Sequence, residues 1–234
     1  MTSTDAPFGQ ASGAGPRRDW QGLRFPGGLY GVSPDWDDTD RMLAAIEAAA
    51  AGGMTAFQWR RKTAAPDAAL AQARVVVQKC RELGVVSIIN DDWRLAALVD
   101  ADGVHLGRDD GSLIDARTAL GPDRILGCSC YNDPSLAERA LLADVDYFAF
   151  GAVFPSSVKP QAVRALPEHI QQGRRIAESA GQTPRPAIVT IGGITPDNAA
   201  EVIAAGADSI AVISGVFLAP DIRAAAQRCT ALFN

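Results

Sequence analysis

Lysine is scarce in this sequence: of 22 basic residues only Lys62, Lys79 and Lys159 are lysines. Histidine is scarcer, with His105 and His169 alone. Acids outnumber bases by 27 to 22, a net charge of −5, so no basic face for nucleic acid is expected. No apolar run reaches the roughly 20 residues that a bilayer span needs, so no membrane partner is expected either. The first 15 residues have neither a basic end nor an apolar stretch and do not read as a secretory signal. The four cysteines, Cys80, Cys128, Cys130 and Cys229, lack zinc-ligand spacing, although Cys128 and Cys130 would share a face on a strand. A reducing, cytoplasmic location is the expectation. These absences exclude several classes and name no activity.

What is present is alternation. Short apolar runs at 29–32, 56–59, 85–89, 103–106, 125–128, 147–150, 187–191 and 209–213 read as strands. Helix-like stretches separate them at 39–51, 66–83, 112–120, 134–142, 166–180, 198–205 and 222–233, with a short connection at 92–99. Eight strand–helix units with no internal linker predict an α/β fold, a single (β/α)8 TIM barrel over residues 21–234. Residues 1–20, rich in Ser, Thr, Gly and Ala, are expected to form a short disordered tail. An open doubly wound sheet fits less well, because the Gly-rich fingerprint after the first strand is missing.

In such a barrel, chemistry belongs at the C-terminal ends of the strands. The second run leads into Gln58-Trp59-Arg60-Arg61-Lys62, where Gln58, Arg60 and Lys62 share one face at period 2. The third ends in Asn90-Asp91-Asp92, and the fourth carries His105 ahead of Gly107-Arg108-Asp109-Asp110. The fifth ends in Ser129, and the sixth leads to Pro155-Ser156-Ser157-Val158-Lys159. The seventh leads into Gly192-Gly193 and the eighth into Ser214-Gly215, two loops where barrels hold phosphate on backbone N–H groups. Each aspartate could instead cap a helix, with Ser112 and Asp115 resembling a capping box. His105 could be a satisfied core histidine. Against that, two acidic pairs at adjacent strand ends repel unless a cation joins them, and oxygen ligands suit Mg2+. Lys79 falls on a helix and reads as a solvated surface charge.

In this order, Gln58-Trp59-Arg60-Arg61-Lys62, Ile89-Asn90-Asp91, Gly103-Val104-His105-Leu106-Gly107, Gly127-Cys128-Ser129, Ile191-Gly192-Gly193-Ile194 and Ile213-Ser214 resemble the motifs of the thiamine phosphate synthase family. The resemblance runs from about Leu29 to Phe217. It implies a transferase that joins an aminopyrimidine diphosphate to a thiazole phosphate, forming thiamine phosphate and pyrophosphate. It further implies that the pyrimidine C–O bond breaks first, giving a carbocation that the thiazole nitrogen captures. By that resemblance Gln58, Arg60 and His105 would hold the pyrimidine, and Lys62, Asn90, Ser129 and Lys159 the diphosphate. Lys62, Ser129 and Lys159 would act catalytically on the leaving group. Asp91 and Asp110 would ligate Mg2+, while Ser156, Gly193, Ile213 and Ser214 would receive the thiazole phosphate. The expected partners are small-molecule substrates; a homodimer stays open.

The match has departures. The family's P-T-x-T-K segment reads Pro155-Ser156-Ser157-Val158-Lys159 here, so Val158 removes a hydroxyl, worth about 0.5–1.5 kcal/mol as a neutral hydrogen bond. Arg108 replaces a frequent Gln and Arg61 a usual acid, both expected to add positive charge at the mouth. The rivals are a thiazole tautomerase, which needs no diphosphate clamp, another phosphate-binding barrel such as a sugar-phosphate epimerase, and a non-catalytic barrel.

Overall fold

The computed structural model describes residues 19–155 and 163–233. Its strands are β1 (Gly28–Val32), β2 (Met54–Trp59), β3 (Val86–Asn90), β4 (Gly103–Leu106), β5 (Ile125–Tyr131), β6 (Tyr147–Gly151), β7 (Ala187–Ile191) and β8 (Ser209–Val212). They run parallel in sequence order, and β8 pairs with β1 to close the barrel. The helices are α1 (Thr39–Ala51), α2 (Pro66–Leu83), α3 (Trp93–Leu98), α4 (Leu113–Leu120), α5 (Pro134–Leu141), α6 (Pro167–Ser179), α7 (Ala199–Ala204), α8 (Ser214–Phe217) and α9 (Ile222–Thr230). The fold is the (β/α)8 barrel that the alternation predicts. No described helix is long and apolar enough to cross a membrane.

The strand pleat sorts side chains into two cores. Leu29, Phe57, Ile89, Phe148 and Ile188 face the helices, and Tyr30, Ala56, Ile88, Ala149 and Val189 fill the barrel. Burial on both faces is why these strands read as nearly continuous apolar runs rather than as alternating ones. The interior mixes alanines with three large rings, Phe25, Tyr30 and Tyr147. Phe25, fully buried ahead of β1, packs 5.0 Å from Tyr30 and 4.3 Å from Tyr147 between ring centroids.

The N-terminal ends of the strands carry a repeated device. Asp102, Asp146 and Asp208 precede β4, β6 and β8, and each accepts the backbone N–H of the neighbouring strand, from Ser87, Leu126 and Ile188 respectively. Arg117 pairs with Asp146 at 2.6 Å, and Arg185 with Asp208 at 2.7 Å.

Differences from the sequence reading are local. The eighth strand stops at Val212, and the turn that follows winds into the short helix α8, which no periodicity marks in so few residues. The helix after β3 is a single stretch of six residues, capped by Asp92. Cys128 and Cys130 do share a face, with sulfurs 3.8 Å apart, and all four cysteines are free and buried.

Candidate active site

At the C-terminal mouth of the barrel lies a cavity of about 250 Å³. Gln58 reaches it from β2 and Arg60 and Lys62 from the segment just after, Asn90 from the end of β3 and Asp91 just beyond it, His105 from β4, Asp110 from the loop after β4, and Ser129 from β5. Ile213 and Gly192 line the opposite wall. Residues as far apart in sequence as Tyr30 and Ile213 thus converge because every strand points its C-terminal end the same way. Gly193 and Ser214 sit beside Gly192 and Ile213, just outside the lining. Ser156, Ser157, Val158 and Lys159 lie outside the described residues.

The pleat separates two adjacent arginines. Arg60 lines the cavity, while Arg61 points outward, ion-paired to Asp37 and 3.7 Å from Asp35. The expectation that Arg61 adds charge at the mouth is therefore corrected: period 2 turns it away, and two aspartates of the β1–α1 connection neutralise it. Arg108 is exposed at the rim, its guanidinium 4.9 Å from the centroid of the Tyr131 ring. Ser33, fully buried after β1, holds Arg60 in place: its hydroxyl accepts from the Arg60 N–H at 2.8 Å and donates to the Arg60 carbonyl at 3.0 Å.

The two aspartates after β3 divide the roles that sequence left open. Asp92 is the cap, its carboxylate accepting from Arg94 and Leu95 N–H groups at 2.9 and 3.0 Å. Asp91, at φ +66°, turns instead into the cavity and meets Asp110. Burial, then the hydrogen bond and negative charge of Asp110, raise the Asp91 carboxyl from 3.8 to about 6, against the pull of Lys62 and Arg60. Asp110 is fixed by the Gly107 N–H at 2.7 Å. Two oxygen donors that repel one another form a site that a divalent cation relieves. Among the described residues no group of three or more His, Cys, Asp or Glu gathers. A pair suffices for Mg2+, which takes one or two carboxylates and completes its shell with phosphates and water. The residues fit that ion.

His105 is buried, with Nδ1 3.0 Å from the Tyr147 hydroxyl and Nε2 2.9 Å from the Ser129 hydroxyl. Burial lowers its pKa from 6.5 to about 4, partly opposed by the charge of Asp110, so the ring is neutral at pH 7. Tyr30 and Tyr147 were not singled out by sequence reasoning, which treats a tyrosine inside an apolar run as core. Tyrosine occurs only three times: Tyr30 and Tyr131 line the cavity, and the Tyr147 hydroxyl lies behind it against His105 Nδ1. Gly193, at φ +67°, brings its Cα under the preceding loop, where a Cβ would stand 2.5 Å from the Pro155 carbonyl oxygen. Lys79, as expected, is a surface group, 3.9 Å from Glu47 and 3.8 Å from Glu82.

A family model described as thiamine monophosphate synthase matches residues 29–216, which contain every lining residue of this cavity. The chain belongs to the thiamine monophosphate synthase family. It is similar to a protein of Bordetella pertussis named thiamine-phosphate synthase, 56% identical over 213 residues, covering 91% of this chain and 97% of that one. A thiamine-phosphate synthase of Methylobacillus flagellatus is 48% identical over 207 residues, covering 88% and 95%. The solved structure of a thiamine phosphate pyrophosphorylase from Pyrococcus furiosus superposes with a TM-score of 0.73 at 32% identity, covering 88% of this chain and 95% of that one. Membership makes the chain an enzyme, a transferase of thiamine biosynthesis.

Proposed function

We propose that this enzyme joins 4-amino-2-methyl-5-hydroxymethylpyrimidine diphosphate to 4-methyl-5-(2-phosphoethyl)thiazole, forming thiamine phosphate and pyrophosphate. The observation that carries the reading is the division of one cavity into three chemistries. A half-apolar floor with Gln58 and His105 suits a flat, polar ring. A cationic and acidic flank of Lys62, Arg60, Asp91 and Asp110 suits a metal-bound diphosphate. A far wall at Gly192 and Ile213 opens towards Gly193 and Ser214, which suit a second phosphate.

Mg2+ held by Asp91 and Asp110 would supply charge neutralisation to the departing diphosphate. The chain's own groups do the rest. Lys62, Asn90 and Ser129 donate to the diphosphate oxygens as negative charge builds on them, joined by Lys159 from the loop after β6. Gln58, Arg60 and His105 hold the pyrimidine, and the cation left by C–O cleavage is captured by the thiazole nitrogen. That nitrogen already carries a lone pair, so the protein need only position it. Gly193, Ile213, Ser214 and Ser156 receive the thiazole phosphate. The four buried free cysteines suit a reducing cytoplasm.

The test is direct. Purified enzyme with both substrates and Mg2+ is expected to form thiamine phosphate and pyrophosphate, neither appearing when one substrate is withheld. Absence of product at high enzyme concentration, with both substrates verified, overturns the reading. A tautomerase would convert the phosphorylated thiazole alone.

A further inference from the structure

Five side chains from five different strands form one continuous hydrogen-bonded row through the barrel. Gln58 Nε2 lies 2.7 Å from the Tyr30 hydroxyl, which lies 2.9 Å from the Tyr147 hydroxyl. The Tyr147 hydroxyl lies 3.0 Å from His105 Nδ1, and His105 Nε2 lies 2.9 Å from the Ser129 hydroxyl. Tyr30 and Tyr147 are buried, at 1% and 0% exposure, so water does not intervene between them. Both ends, Gln58 and Ser129, line the cavity.

Each middle group has one proton to give. A tyrosine hydroxyl donates once, and a neutral imidazole has one N–H, so whichever ring nitrogen accepts, the other donates. One direction throughout gives every proton of the row an acceptor, whereas a mixed arrangement makes one tyrosine hydroxyl accept from both neighbours and leaves its own proton without an acceptor in the row. Two arrangements remain. In the first, Gln58 donates to Tyr30, Tyr30 to Tyr147, Tyr147 to His105 Nδ1, and His105 Nε2–H to Ser129. Gln58 then keeps its carbonyl oxygen, and Ser129 its hydroxyl proton, for the cavity. In the second, every bond reverses, and Gln58 offers N–H while Ser129 offers a lone pair.

The surroundings favour the first. Gln58 shares its strand face with Arg60 and Lys62, whose positive charges draw a carbonyl oxygen rather than an amide N–H towards the mouth. At the other end Ser129 shares the cavity with the carboxylates of Asp91 and Asp110, which draw its proton outward.

We propose that this row is polarised from Gln58 to Ser129, and that Tyr30 and Tyr147 are positioning residues which hold it so. The cavity then selects a ligand that donates an amine proton at Gln58 and accepts on phosphate oxygen at Ser129. The two recognitions are linked: a phosphate that accepts a hydrogen bond from the Ser129 hydroxyl holds the Gln58 amide in the orientation that reads an amine. Naming that ligand as the aminopyrimidine diphosphate rests on the proposed function; the direction of the row does not.

With His105 and His169 as the only histidines, long-range 1H–15N spectra of histidine-labelled enzyme give two ring systems, and His169→Gln assigns them. His105 is expected as the Nε2–H tautomer; an Nδ1–H tautomer overturns the proposal whether or not the enzyme turns over. In Tyr147→Phe, His105 is expected to become a mixture of tautomers. In Tyr30→Phe it is expected to stay Nε2–H, since Tyr147 still donates to it. In both variants the kcat/KM preference for the 4-amino over the 4-oxo pyrimidine diphosphate is expected to fall at least tenfold. A spectrum and a preference both unchanged in Tyr147→Phe overturn the proposal. Should no pyrimidine diphosphate react at all, the functional reading fails, and the tautomer still decides the direction of the row.

Discussion

Tyr147 occupies the space that a side chain at position 127 would need: a Cβ built on Gly127 would stand 1.9 Å from Tyr147 Cζ. The ring has nowhere to retreat, because Phe25 packs against it at 4.3 Å and His105 stacks on it at 5.5 Å and 17°. Gly127 is thus the condition for a tyrosine inside the barrel, and through it for the placement of His105.

Gly127→Ala is expected to cost at least the ~1–3 kcal/mol typical of overpacking, and to raise KM for the pyrimidine diphosphate as Tyr147 shifts. Thermal denaturation and steady-state kinetics check the two effects. Cys128→Ala, one residue along but facing the helices, should leave KM unchanged.

Asp91→Asn is expected to stabilise the metal-free enzyme while abolishing its response to Mg2+. Asn tolerates the positive φ at this position, so the backbone should hold. The wild-type carboxyl is raised from 3.8 to about 6, so the folded state binds the extra proton between those values. Its contribution is present below 3.8 and is lost as pH rises to about 6, where the ionised pair repels. The stability difference between variant and wild type should therefore grow with pH across that window, and Mg2+ should raise the wild-type melting temperature more at pH 8 than at pH 5. Melting curves with and without Mg2+ measure both.

Lys62→Gln and Arg61→Gln should behave oppositely although the residues are adjacent. Losing the Lys62 charge removes a charge-assisted contact worth about 1.5–3 kcal/mol, a fall in kcat/KM of roughly 10–150-fold. Arg61→Gln breaks the contacts with Asp35 and Asp37 outside the cavity, and should alter melting temperature while leaving kcat/KM within about twofold.

Asp146→Ala is expected to destabilise the fold by about 3–5 kcal/mol, the usual result of removing one partner of a buried pair. Its carboxylate, 6% exposed, accepts from the Leu126 N–H and pairs with Arg117 at the end of the barrel away from the cavity. Denaturant unfolding should show the loss while KM for both substrates holds.

The barrel was legible because its evidence is local. Apolar runs such as 85–89 and helix stops such as Gly84 carry their own periodicity and caps. The mouth was legible at one remove: once strands are parallel, Gln58, Asn90, His105 and Ser129 must gather at their C-terminal ends. The short α8 was not legible, since four residues hold barely one helical turn.

The order of elements, the face that Gln58, Arg60 and Lys62 share, and the family can be read from residue order alone. These follow from residue spacing, which is a property of neighbours along the chain. That Asp91 turns inward while Asp92 caps, that two loop aspartates neutralise Arg61, and that Tyr30 meets Tyr147 emerge only in the closed barrel. The last pair is separated by 117 positions and brought within 2.9 Å by closure of the barrel. No spacing rule encodes such a contact, because the registers of all eight strands together set which interior side chains share a level.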